Sequence, residues 1–148
     1  MRVRARTLIS SSIGDVWRVV SDPDSVPRFL ASVTRWLPAG GPARGLAARY
    51  DVRMLVGAVE LGGIVEIVEW QEPHAVGWTS VTGITQRGRI CLREMPDAHT
   101  EVTMELSYVA PGPLGKVADV VALPLLRRQV RRSLRRLRAV IEPIVPPS

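Results

Sequence analysis

Residues 123–141 read LPLLRRQVRRSLRRLRAVI, a segment in which apolar residues recur at helical spacing among seven arginines. At about 100° per residue, the apolar residues fall in one stripe about 80° wide, and the arginines occupy the other half of the helix. The stripe consists of Leu123, Leu126, Val130, Leu134, Leu137 and Ile141. The segment therefore predicts a long amphipathic helix that begins after the PGPLG break at 111–115 and ends at Glu142, before Pro143.

The segments before this helix alternate apolar and polar residues with a period of two, which predicts strands. About six or seven strands are expected, beginning with RVRARTLIS (2–10), and the clearest are AARYDVRMLV (47–56) and TEVTMELSYVA (100–110). Each of these two strands places its apolar residues on one face: Tyr50, Val52 and Met54, and Val102, Met104, Leu106 and Tyr108. Two short helices, at 13–22 and 24–33, are predicted between the first strand and the others.

The alternation slips in VELGGIVEIVEW (59–70), where Ile67 and Val68 are consecutive apolar residues. This slip, with Gly62 and Gly63 nearby, predicts a bulge or bend in a curved sheet. A sheet with one apolar face must cover it, and the long helix is the largest element available. The pattern therefore predicts an α+β fold in which a curved antiparallel sheet wraps around the C-terminal helix and leaves a ligand cavity between them.

Length and composition are those of one globular domain over residues 1–148. Hydrophobic residues make up 46% of the chain, which excludes a disordered protein. The single cysteine, Cys91, cannot form an internal disulfide and fits a reducing compartment. The most apolar stretch, at 117–126, contains Asp119 and Pro124 and is shorter than the ~20 residues of a membrane span. A cytoplasmic protein is therefore expected.

The excess positive charge lies in one segment. The chain carries 20 basic and 14 acidic residues, a net charge of +6. Without the seven arginines of 127–138, the chain would contain 13 basic and 14 acidic residues. Proteins that bind nucleic acid commonly collect basic residues from several elements on one face. A balanced chain with one basic segment therefore disfavours nucleic acid as the partner.

Several motifs occur together along the chain. They are VWRVVSDPDSVPRFLASV (16–33), Gly45 at the start of a strand, VEIVEWQEPHAVGW (65–78), Thr100-Glu101-Val102, and LRRLRAVIE (134–142). In this order they resemble the START-related superfamily, which includes polyketide cyclases, coenzyme Q-binding proteins and the birch-pollen allergen. The resemblance spans essentially the whole chain. It implies a helix-grip fold with an apolar tunnel between the sheet and the long helix.

The sequence contains few candidates for acid, base or metal chemistry. His74 and His99 fall in the predicted turns QEPH and PDAHT, where surface positions are expected. Cys91 lies in a strand between Ile90 and Leu92, a position typical of a packed side chain. The chain has no C-x-x-C or H-E-x-x-H motif, and no glycine-rich phosphate loop precedes a helix. No metal and no cofactor are predicted, and a binding protein is favoured over an enzyme.

The candidate cavity wall comes from the apolar faces of the predicted elements, where core and cavity wall are the same surface. Its residues are Phe29, Tyr50, Met54, Trp78, Ile90, Met104, Tyr108 and Val130. Tyr50 and Tyr108 are of special interest, because a phenol in an apolar cavity can hold a carbonyl or hydroxyl group of a ligand.

These patterns lead to one principal hypothesis and two alternatives. The protein is expected to bind or carry a small hydrophobic, lipid-like ligand by burying its apolar surface. The first alternative is a polyketide cyclase or dehydratase type of enzyme, in which a tyrosine or glutamate moves a proton. The second is a regulatory or toxin-like protein that acts through the arginine-rich helix.

The arginine-rich face has two interpretations, a solvated surface and a contact with an acidic partner. Arg128, Arg132 and Arg135 are the candidate contact residues. The acidic partner favoured by the sequence is an anionic membrane surface, to which each arginine contributes on the order of 1 kcal/mol of attraction. Nucleic acid is less favoured because the face has no aromatic residue on which bases stack.

Overall fold

The computed structural model describes residues 2–56, 58–83, 85–109 and 115–142, with the backbone alone at 56, 109 and 115–122. Seven strands and three helices lie in these ranges. The strands are β1 (Arg2–Ile9), β2 (Val33–Gly40), β3 (Arg49–Val56), β4 (Val59–Gln71), β5 (Ala75–Ser80), β6 (Thr85–Met95) and β7 (His99–Val109). The helices are α1 (Ile13–Val20), α2 (Val26–Phe29) and α3 (Gly115–Ile141). Pro143 and most of the predicted break, 111–114, lie outside the described residues.

The strands form one antiparallel sheet in the order β1-β7-β6-β5-β4-β3-β2. From β2 to β7 each strand pairs with the next one along the chain, and β1 pairs with β7. The edge strands are therefore β1 and β2, and α1 and α2 connect them. The predicted α+β architecture, with a seven-stranded antiparallel sheet against a long C-terminal helix, is confirmed.

Alternation along the strands decides which side chains face α3. In β3 and β7 the predicted apolar residues are buried, and the residues between them are half-buried or exposed. The predicted stripe of α3 packs into the same core, with four residues buried and two partly buried: Leu126, Val130, Leu134 and Leu137, and Leu123 and Ile141. Each fully buried aliphatic side chain contributes roughly 1.5–3 kcal/mol relative to an exposed one. Together the two faces form one continuous core.

The predicted bulge is present in β4, but not at the glycine pair. The register between β4 and β5 shifts just after Ile67, so Val68 has no partner and points to solvent while Ile67 stays buried. Gly62 and Gly63 pair with β3 without a shift. Gly63 has another role, because a methyl group there would overlap the carbonyl oxygen of Thr82. The two consecutive apolar residues, and not the glycines, mark the bulge.

The second helix is shorter than predicted. Only Val26–Phe29 is helical, because Leu30 takes an extended backbone and Ser32 has a φ of 74°. The chain then enters β2 at Val33. Phe29 is nevertheless fully buried, and α2 packs beside α3. The short turn therefore still contributes an aromatic side chain to the core.

Hydrogen bonds from two polar residues fix the rotation of α3. The hydroxyl of Ser133, which is fully buried, accepts from the backbone N–H of Ala31 at 2.8 Å and donates to the carbonyl of Gln129 at 2.8 Å. The side chain of Gln129 donates to the carbonyl of Leu55 at 3.0 Å. These bonds hold one flank of α3 beside α2 and β3, so its arginines point away from the sheet. In the described ranges, no helix has the length and apolar character needed to span a membrane.

We expect the stripe to dominate the stability of the fold. Replacing Leu137, which is fully buried, with alanine should lower the free energy of unfolding by about 2–5 kcal/mol. The matched change Arg135→Ala, on the exposed face of the same helix, should stay within about 0.5 kcal/mol of the parent. Denaturant unfolding followed by tryptophan fluorescence measures both, and equal losses would contradict the packing of α3 described here.

Candidate functional site

An aromatic cluster occupies the space between the sheet and the short helices. Trp36 of β2 stacks on Tyr50 of β3, with ring centroids 5.3 Å apart and an interplanar angle of 27°. The other contact of Trp36 is edge-on to Trp78 of β5, at 5.5 Å and 84°. Alternation directs all three rings inward, and each is almost completely buried. The rings therefore form an aromatic wall in the middle of the interior.

The position of Trp78 depends on a glycine in the neighbouring strand. Trp78 pairs directly with Gly88 of β6, and a side chain at Gly88 would overlap the indole ring. Without that side chain, the indole occupies the space beside the backbone of Gly88. Gly88 lies between Gln86 and Ile90 on the inward face of β6. An alternating strand with glycine at an inward position thus makes room for a large ring from its neighbour.

Two small voids remain in the described interior, each about 20 Å³ in volume. A void of this size holds about one water molecule. The first lies near α2 and the second near β7, and three residues line both: Leu30, Trp36 and Trp78. These three side chains therefore lie between the two voids.

Most of the predicted wall residues lie around these voids. Four of them line the first void: Phe29, Tyr50, Trp78 and Ile90. Three line the second void, where Trp78 is joined by Met54 and Tyr108. The other two, Met104 and Val130, are fully buried in the core and line neither void. The structure thus brings six of the eight residues together around the aromatic wall.

Tyr108 carries a polar group into the second void. Its hydroxyl donates to the sulfur of Met54 at 3.3 Å. Burial raises the pKa of Tyr108 well above its usual value, because the surroundings disfavour the charged phenolate. Gln86, its cross-strand neighbour, is also buried and lines the same void. The pair supplies neutral hydrogen-bonding groups at neutral pH.

Tyr50 is placed differently from Tyr108. Its hydroxyl lies 3.5 Å from the carbonyl of Ala43, at the outer limit of a hydrogen bond, so it points towards the loop before β3. Burial raises the pKa of Tyr50, and the nearby Arg44 partly opposes this effect. Arg44 is itself 3.7 Å from Asp22. The ring of Tyr50 therefore belongs to the interior, whereas its hydroxyl belongs to the rim.

The carboxylates of the central strands lie on the outer face of the sheet. Each pairs with an arginine: Glu60 with Arg53, Glu66 with Arg49, Glu69 with Arg89, and Glu105 with Arg2. The pair of Glu69 and Arg89 spans two strands across Gly77, with bonds of 2.6 and 2.9 Å. The hydrogen bond from Arg89 lowers the pKa of Glu69. These carboxylates are therefore paired with arginines and lie outside the interior.

The histidines and the cysteine also lie away from the voids. His74 is exposed, and His99 is half-buried, with Nε2 3.1 Å from the Ser10 hydroxyl. Cys91 is half-buried in β6, and burial raises the pKa of its thiol. Among the described residues, no group of three or more His, Cys, Asp or Glu side chains could hold a metal ion. The described walls of the two voids therefore contain no acid or base that titrates near neutral pH.

The interior contains features that the sequence pattern did not single out. Gln86 and Gly88 are inward residues of β6. Their alternation with the outward-facing Arg87 and Arg89 is the sequence pattern from which their inward direction could have been predicted. Trp36 near a strand end had no assigned role, because its direction depends on how β2 pairs with β3. The three arginines predicted to meet an acidic surface are exposed on α3: Arg128, Arg132 and Arg135.

Comparisons with known proteins agree with this geometry. A family model described as "Polyketide cyclase / dehydrase and lipid transport" matches residues 1–142. No curated protein matches the chain. A structure of a protein from Thermus thermophilus is similar, with a TM-score of 0.82, 19% identity and coverage of 95% of this chain and 97% of the other.

Two further solved structures share the fold. One is a START superfamily protein from Mycobacterium smegmatis, with a TM-score of 0.74, 14% identity and coverage of 97% and 99% of the two chains. The other is the Zhui aromatase/cyclase from Streptomyces sp. R1128, with a TM-score of 0.79, 11% identity and coverage of 95% and 93%. At these identities the similarity demonstrates the fold alone.

The raised pKa of Tyr108 predicts a loss of stability at alkaline pH. Above about pH 10, the ordinary pKa of tyrosine, an unfolded chain releases this proton while the folded chain retains it. The free energy of unfolding should therefore fall as the pH rises past this value. The variant Tyr108→Phe should show a shallower fall, measured by denaturant unfolding over a pH series. An unchanged slope in this variant would contradict the burial of the phenol.

Proposed function

The chain belongs to the polyketide cyclase/dehydrase and lipid transport family, and on that premise we propose that it binds a small hydrophobic, lipid-like ligand between the sheet and α3. Membership confirms the resemblance to the START-related superfamily. The family and the fold support either ligand binding or cyclase-type chemistry in general. The choice between them rests on the side chains of the interior.

The observation that carries the proposal is the neutrality of the described interior. Its walls are mostly aliphatic and aromatic side chains, and the second void adds the Tyr108 hydroxyl and the Gln86 amide. Neither group ionises near neutral pH, because amides do not titrate and burial raises the pKa of the phenol. Such a wall favours an apolar molecule with a single carbonyl or hydroxyl group.

The free energies expected from apolar burial and from a hydrogen bond assign different roles to the apolar wall and the polar groups. A ligand that buries on the order of 300 Å² of apolar surface gains about 7.5 kcal/mol. One neutral hydrogen bond adds a net contribution of only about 0.5–1.5 kcal/mol. Affinity would therefore come from apolar burial, while the hydroxyl of Tyr108 fixes the direction in which the ligand enters.

We expect the part of the interior around these two voids to rearrange when a ligand binds. Two voids of about 20 Å³ are far smaller than a ligand site of ~300 Å³ or more. Trp36 and Trp78 separate the voids, so displacement of these rings would merge them into one compartment. The ligand would then replace ring contacts with its own apolar surface. The proposal thus includes a rearrangement of the aromatic wall upon binding.

Cyclase-type chemistry is the second candidate, and the pair of Tyr108 and Gln86 is the observation that favours it. A phenol in an apolar pocket can donate a proton to a folded polyketide chain. The same burial that positions Tyr108 also raises its pKa, which makes it a weak acid. General acid catalysis works best when the pKa of the proton donor lies near the pH at which the enzyme works. Binding is therefore the better supported of the two functions.

A matched set of ligands and variants tests the proposal. Pairs of apolar compounds that differ only by a carbonyl or hydroxyl group would be titrated by calorimetry and by thermal melting. At least one apolar class should raise the melting temperature. The variant Tyr108→Phe should weaken the oxygen-containing member by roughly 2- to 10-fold and leave the hydrocarbon member unchanged. The control Tyr50→Phe should change neither, because its hydroxyl faces the rim.

The outcomes separate the parts of the proposal. Absence of a melting shift with every apolar class at saturating solubility would refute ligand binding. Equal effects of the two tyrosine variants would refute only the role assigned to Tyr108. Conversion of a bound polyketide into a cyclised product, detected by mass spectrometry, would establish the enzyme instead.

A further inference from the structure

The arginines of α3 differ from the other arginines in their lack of ion pairs. Of the twelve arginines outside α3, eight pair with a carboxylate in the described residues. Of the seven on α3, only Arg138 does so, with Glu142 at 2.8 Å. The six without an ion pair to the described residues are Arg127, Arg128, Arg131, Arg132, Arg135 and Arg136. The sheet therefore neutralises most of its charge, whereas α3 does not.

Spacing makes this concentration of charge unfavourable for the isolated protein. Arg127, Arg131 and Arg135 follow one another at intervals of four residues on the same side of the helix. Like charges at this spacing destabilise a helix by a few tenths of a kcal/mol for each pair. An external anionic surface would remove this repulsion. The arrangement thus favours α3 in contact with a negatively charged partner.

The basic surface extends from α3 to the edge strand β1. Arg127 and Arg131 face Arg2 and Arg4 across a groove of about 370 Å³, and the other residues that line it are the small apolar Val3 and Ala5. The groove wall contains no carboxylate, although Arg2 also pairs with Glu105 nearby. A concave site with several guanidinium groups suits a phosphate or carboxylate, since arginine donates paired hydrogen bonds to both.

Apolar side chains lie beside this basic surface. Leu125 is exposed on α3 one turn before Arg128 and Gln129, and Leu55, also exposed, is the residue whose carbonyl Gln129 contacts. Exposed leucines next to arginines suit a lipid bilayer, where headgroups meet acyl chains. Between residues 123 and 142, α3 has no aromatic side chain on which a nucleic-acid base would stack.

We propose that the outer face of α3, with the groove between α3 and β1, is a docking surface for an anionic phospholipid bilayer. The phosphate or carboxylate of a lipid headgroup occupies the groove, and the remaining arginines contact neighbouring headgroups. The arginines of this surface lie outside the apolar stripe of α3 that faces the proposed ligand site. Its role therefore does not depend on the identity of any bound ligand.

Vesicle binding by three proteins tests this proposal. The three proteins are the parent chain, the α3 variant Arg128→Gln/Arg132→Gln/Arg135→Gln and the control Arg18→Gln/Arg28→Gln/Arg87→Gln. We expect all three to have the same fold, because all six arginines are exposed. Both variants lose three positive charges, which are removed from different parts of the surface. Glutamine retains good helix propensity on α3. Circular dichroism and melting verify that the variants remain folded.

The assay uses vesicles of phosphatidylcholine with and without a comparable amount of phosphatidylserine, and no apolar ligand is added. The parent should bind the vesicles that contain phosphatidylserine, and high salt should release it. The α3 variant should bind about 100-fold more weakly, the loss expected for three arginines at about 1 kcal/mol each. The control should bind like the parent.

Three results would overturn the proposal: failure of the parent to bind these vesicles, equal weakening in both variants, and tighter binding to RNA or duplex DNA than to the vesicles. Because the assay contains no apolar ligand, any of these results leaves the proposed ligand binding intact. Conversely, a failure to bind apolar compounds would leave the vesicle result unaffected.

Discussion

Burial of the apolar stripe of α3 against the inner face of the sheet is the interaction on which the other features depend. Val130 and Leu137, which are fully buried, fix the distance between the helix and the strands. The buried hydroxyl of Ser133 fixes the rotation of the helix through its bond to Ala31. Once this stripe is buried, the arginines must face outward and the interior must lie between α3 and the sheet.

Alternation of side chains separates charge from the candidate ligand site. The outward residues of the strands form ion pairs such as that of Glu69 with Arg89, while the inward residues are apolar or neutral. Charged side chains therefore lie at the surface, where water and opposite charges stabilise them. Buried Tyr108 keeps its proton for the same physical reason, since low polarity disfavours a charge. The described walls of the two voids are thus apolar or neutral.

Periodicity in the sequence predicted the sheet, the long helix and the bulge after Ile67, because burial on one face imposes those periods. It could not predict that Trp78 lies across Gly88, since this contact depends on the register between two strands. For the same reason it did not show which arginines pair with carboxylates. It also could not predict the size of the two small voids, since this depends on how the rings pack in three dimensions.

The central claim is that the interior accommodates an apolar ligand. Native mass spectrometry of the protein purified from the organism that produces it tests this claim most directly. We expect a species heavier than the bare chain, with one bound molecule that extracts into organic solvent and carries at most a carbonyl or hydroxyl group as its polar part. A spectrum of the bare chain alone, or of a complex with a highly charged metabolite, would contradict it.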